Sequence, residues 1–117
     1  MMSLIGHFIA GEVVTDAPRT LPVYNPATGE SNKTVAVADS ATVERAIEVA
    51  QAAFPAWRNT PPMKRARGMY RFKELLEANA DKIVAMITDE HGKVLDDARG
   101  ELMRGIEVVE YACGAPE

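Results

Sequence analysis

One arginine in this 117-residue chain has a setting that suggests chemistry. Arg104 stands within LDDARGELMRGIEVVEYAC, with Gly100 four residues before it and Gly105 directly after it. At about 100° per residue it lies opposite an apolar stripe of Leu95, Ala98, Leu102, Ile106, Val109 and Cys113. The two glycines leave the helix surface around it thinly covered. A planar guanidinium can grip a carboxylate at two points. A plainer role competes: Glu101 and Glu107, three residues to either side, can hold Arg104 in surface ion pairs worth about 0.3–0.5 kcal/mol each. On spacing alone the surface pairing is the stronger reading. Asp97 and Tyr111 share this side of the helix, so the face is mixed and can pack a second surface.

Other familiar chemistry is missing from the pattern. Cys113, the single thiol, falls in the apolar stripe with no His or Lys beside it in sequence, and reads as a small packed residue. One cysteine excludes an internal disulfide. His7 and His91 are far apart and far from the thiol, which excludes a metal-ligand spacing. GxSxG, HExxH and CxxC are absent, and no glycine-rich turn joins a strand to a helix as a phosphate cradle. A net charge of -4 argues against a nucleic-acid partner. The basic cluster of Lys64, Arg65, Arg67 and Arg71 runs into Glu74 and Glu77 and reads first as a solvated helix face, with a partner contact as the lesser alternative. No run approaches the roughly 20 apolar residues of a membrane span. The opening MMSLIGHFIAGE lacks the basic start and long apolar run of a secretion signal, so a reducing cytoplasm is the expected setting and no membrane partner is expected.

The elements that must position Arg104 can be read in order. HFIAGEVV predicts a hairpin about Ala10-Gly11, although Ala resists the positive φ that such a turn demands. Leu21 to Tyr24 predicts a short strand, placed at an edge by Pro22. Asn25 to Glu30 has turn chemistry, and Ser31 to Ala38 returns as a strand. Residues 1–39 thus form an antiparallel β unit. Asp39-Ser40 then offers a helix cap. The helix that follows is expected to end or kink at Pro55, with Trp57 folded back on its end. Thr60 is expected to cap the next helix, with Pro61 as its first residue. Met69, Phe72, Leu76, Ile83 and Ile87 form its stripe, broken near Asn79, where a further helix starts under an Asn79 cap. Gly92 stops that helix, and the last begins near Val94-Leu95 with Asp96 and Asp97 at its positive end. The fold class is α+β: a short antiparallel β unit followed by three or four helices over residues 40–117.

Taken together, FIAGE, PVYNPATGE, AFPAW, PPMKRARGMYRFKELLE and EHGK resemble the N-terminal part of an aldehyde dehydrogenase. DARGELMRGIEVVEYACGAP narrows the resemblance to the CoA-acylating methylmalonate-semialdehyde (malonate-semialdehyde) dehydrogenases. It covers essentially the whole chain. NPATGE and EHGK are signals of the superfamily, whereas RGIEVVEYAC is more specific. The sequence departs from the family at Ala10-Gly11, where Asn-Gly is commoner, and at Gly68, where a larger apolar residue is usual.

The resemblance implies a Rossmann-like α/β cofactor domain, with residues 40–117 its incomplete helical opening. It implies NAD and coenzyme A as cofactors, a tetrameric homo-oligomer, and conversion of malonate or methylmalonate semialdehyde to acetyl- or propionyl-CoA in valine and pyrimidine catabolism. A cysteine thiolate attacks the aldehyde, hydride passes to NAD, and CoA releases the thioester. Arginines hold the substrate carboxylate, and one of them matches Arg104, which reverses the reading made on spacing alone. The family's catalytic cysteine, general base, oxyanion asparagine, glycine-rich NAD segment and second arginine lie beyond the stretch matched here, so no catalytic residue is assigned and Cys113 is not the nucleophile. The chain is expected to be about a quarter of an enzyme, a fragment or a truncated gene. Alone it is expected to bind neither cofactor, to turn over nothing, and to associate through apolar faces left bare. The alternative is a non-catalytic remnant that docks on intact subunits.

Overall fold

A computed structural model of the chain describes residues 3–116. Met1, Met2 and Glu117, the ends of the ranges read above, lie outside the described residues. Five short strands precede four helices: β1 (Ser3–Ile5), β2 (His7–Ile9), β3 (Glu12–Val14), β4 (Arg19–Tyr24), β5 (Ser31–Val37), α1 (Ser40–Asn59), α2 (Pro62–Ala78), α3 (Ala80–His91) and α4 (Leu95–Cys113). They group into two compact units, Met1–Trp57 and Arg58–Glu117, so the division falls within α1, not at the change from strand to helix.

In the first unit the expected hairpin is present, with His7 opposite Val14 and Ile9 opposite Glu12. Its turn forces Ala10 to a φ of 56° and Gly11 to 82°, so the alanine adopts the conformation it resists. The remaining strands form a separate sheet in the order β1-β5-β4. Pro22 sits on an edge strand, as its missing N–H requires. The unit is not wholly antiparallel: β1 pairs in parallel with β5, placing Ser3 opposite Lys33. The turn between β4 and β5 closes as its residues dictate. Asn25 Oδ1 accepts from Ala27 N at 2.9 Å, Asn25 O accepts from Gly29 N at 2.8 Å, and Gly29 has a φ of 74°.

Asp39 caps α1, accepting from the Thr42 amide at 2.8 Å and the Thr42 hydroxyl at 2.7 Å. These two bonds hold its carboxyl below the ordinary carboxylate range. Pro55 does not end the helix, which continues to Asn59 and carries an exposed Trp57 within it. Proline forfeits one bond to the carbonyl four residues back, and Ala52, Ala53 and Ala56 around it are strong helix formers.

The second unit is a three-helix assembly in which α4 packs on both α2 and α3. Its buried residues are Ala66, Val84, Ala98, Ile106 and Cys113. Leu102, Val109, Met69, Leu76, Ile83 and Ile87 are half-buried around them, whereas Phe72 and Leu95, expected in the stripes, are exposed. Pro61, not Thr60, is the cap residue of α2, and Pro62 takes the first turn; Pro61 itself makes no side-chain cap bond. Asn79 marks the break, but its side chain serves the helix behind it: Nδ2 donates to the Leu75 carbonyl at 2.8 Å, and α3 starts without a side-chain cap. Gly92, at a φ of 85°, ends α3 by donating to Thr88 O at 2.9 Å.

Candidate functional site

Arg104 lies in the middle of α4 with its side chain exposed. The surface pairs anticipated on spacing do not form. Glu101 is taken instead by Lys93, which donates to its Oε2 at 2.6 Å from just beyond the Gly92 stop. This hydrogen bond, then the Lys93 charge, holds the Glu101 carboxyl below its ordinary range; His91 and Arg104 add smaller fields, and partial desolvation opposes them. Lys93 was missed in the sequence because it stands eight residues from Glu101 across a helix end, a spacing that no helical rule pairs.

Glycine shapes the ground around the guanidinium. A Cβ built on Gly100 would stand 3.8 Å from Arg104 Nη1, and one on Gly105 would meet nothing within 4 Å. Arg104 is therefore an exposed cation whose neighbouring acid is engaged elsewhere, on a surface with room for an anion beside it. That arrangement can bind a carboxylate.

Cys113 is buried at the far end of α4. Folding brings it into the field of Lys73, forty residues earlier on α2, which pairs with Glu77 at 2.8 Å and Glu110 at 3.8 Å. The Glu77 hydrogen bond holds the Lys73 ammonium above its ordinary range, against partial desolvation. Lys73 thus serves as a bridge between α2 and α4. Its signal in the sequence was its place on the packed side of α2, between Met69 and Leu76.

β5 runs into the N-terminus of α1, but the Asp39 carboxylate already occupies that end and repels a phosphate. The glycines at positive φ lie in a hairpin turn, a strand-connecting turn and a helix end. Among the described residues no group of three or more His, Cys, Asp or Glu is placed to hold a metal ion, and no helix is long and apolar enough to cross a membrane.

A model of the aldehyde dehydrogenase family matches residues 13–117. The chain belongs to that family. This aldehyde dehydrogenase chain is 58% identical over 116 residues to malonate-semialdehyde dehydrogenase of Pseudomonas aeruginosa, covering 99% of the chain and 23% of that protein. Its fold follows the crystal structure of methylmalonate-semialdehyde dehydrogenase from Oceanimonas doudoroffii with a TM-score of 0.96 and 62% identity, over 98% of this chain and 24% of that one. A structure from Sinorhizobium meliloti, assigned to the same activity and solved with NAD, matches with a TM-score of 0.95 and 44% identity, over 99% and 24%. The α+β architecture is thus the N-terminal part of the aldehyde dehydrogenase fold, and the chain spans about a quarter of the length of these relatives.

Proposed function

We propose that this chain is the N-terminal part of an NAD-dependent, CoA-acylating dehydrogenase that oxidises malonate or methylmalonate semialdehyde to acetyl-CoA or propionyl-CoA, in the cytoplasm and as a homotetramer. Residues 1–39 supply its first strands and residues 40–117 the opening helices of its NAD-binding domain. The observation that carries this reading is the 58% identity, over nearly the whole chain, to a relative named for malonate semialdehyde. That substrate carries a carboxylate, and Arg104 offers it an exposed guanidinium, because the neighbouring Glu101 is paired with Lys93. Arg104 binds and orients the substrate; the covalent and redox steps belong to residues and cofactors outside this stretch, and the 117 residues alone turn over no aldehyde.

In the full-length enzyme, Arg104→Ala raises KM for malonate semialdehyde by on the order of 10–100-fold, the value of a lost charge-assisted bond, and leaves KM for propanal nearly unchanged. Steady-state kinetics on both aldehydes checks this; equal effects on the two would make Arg104 a packing residue.

A second reading, docking on intact subunits, draws on an open apolar groove of about 470 Å³ between β2 and α1, lined by Phe8, Ile9, Val43, Ala46, Ile47 and Ala50 among others. Co-precipitation of the 117-residue chain with full-length enzyme, set against its own lack of turnover, separates the two.

A further inference from the structure

Gly100 lies within α4 and has no backbone reason to be glycine. Its φ is not among the positive values of this chain, and glycine weakens a helix interior relative to alanine. Its effect is on Arg104. Long helical side chains lean toward the turn before their own, and Arg104 does so: its Nη1 is the one neighbour within 4 Å that a Cβ on Gly100 would meet outside the helix backbone. One nitrogen of the guanidinium therefore stands over the bare backbone at Gly100. The adjacent Glu101, which would otherwise draw it aside, is held by Lys93 at 2.6 Å.

We propose that Gly100 is a positioning residue for the substrate carboxylate, an inference that rests on the role proposed above for Arg104. The missing side chain lets the guanidinium lie flat along α4. It also keeps space beside Nη1 for the carboxylate and the carbon attached to it. A side chain at position 100 lifts the guanidinium or fills that space, and so acts against carboxylated aldehydes only.

The test is made in the full-length enzyme, with KM and kcat for malonate semialdehyde and propanal. Gly100→Leu raises KM for malonate semialdehyde about tenfold, with kcat and the propanal KM within about twofold of wild type. Gly100→Ala adds one methyl group at ordinary contact distance and favours the helix, so it folds, and it shifts the ratio of the two KM values about threefold in the same direction. In an Arg104→Ala background Gly100→Leu adds nothing, because the group it displaces is already gone. An unchanged KM ratio in Gly100→Ala overturns the proposal, even should the leucine variant fail to fold. So does an additive double variant. If Arg104→Ala itself does not separate the two aldehydes, the underlying role of Arg104 fails instead.

Discussion

The two units of this chain are built on different physics. In the strand-bearing unit, Ile9 and Ala36 are the buried apolar residues among those described, while Phe8 is 75% exposed, Val13 67% and Ile47 60%. The helical unit closes on Ala66, Val84, Ala98, Ile106 and Cys113 and ties α4 to its neighbours through Lys73–Glu110 and Arg99–Asp81. Backbone ladders give the first unit its shape but bury little apolar area, and that area is the main stabilising term. The helical unit has a core of its own. Arg104 is therefore carried on the better-supported half of the molecule, which suits a side chain that must be held in place.

Ile106→Ala removes a 3% exposed side chain and costs about 2–5 kcal/mol. Ile47→Ala, on the exposed face of α1, costs less than about 0.5 kcal/mol. Urea denaturation of the 117-residue chain with each substitution measures the difference, and equal losses would mean the units share one core. A smaller effect of opposite sign is expected in the hairpin. Ala10→Asn places a residue that tolerates positive φ where alanine is forced to 56°, and stabilises the chain by about 1 kcal/mol. No change in the denaturation midpoint would show that the turn bears no strain.

The smallest effect depends on pH. The Thr42 bonds depress the Asp39 carboxyl in the folded state, so the folded form favours the charged carboxylate. Its contribution is complete above the unfolded value of 3.8 and drains away as pH falls through the lower folded one. Asp39→Asn removes this acid-side loss. Denaturation of both forms at about pH 7 and about pH 3 checks it, and parallel slopes would sink the assignment.

Much of the fold was legible because its signals are local. Gly92, Asn79, the Asn25 turn and the Ala10-Gly11 hairpin each act within a few residues and mark a real boundary, although Asn79 does so by closing α2 and not by capping α3. Long-range pairing was not legible. Ser3–Ile5 joins a strand some thirty residues away in parallel, and three residues show no periodicity of their own. Pro55 does not end α1 because the rule for an interior proline states a cost and not a prohibition. At the candidate site Arg104, Gly100 and Gly105 could all be read. The release of Glu101 could not, because it depends on Lys93 reaching across a helix end.

The corner at Asn79 is asymmetric. Its side chain is spent on the Leu75 carbonyl, so it supports the end of α2 and offers no acceptor to the first amides of α3. Unwinding that starts at this corner travels one way, forward into α3. The amides of Ala80, Asp81 and Lys82 will exchange with solvent before those of the last turn of α2. What holds the loose end is Arg99 on α4, whose guanidinium reaches Asp81 at 2.7 Å. Salt that screens this pair will quicken exchange at the start of α3 and leave the end of α2 unmoved.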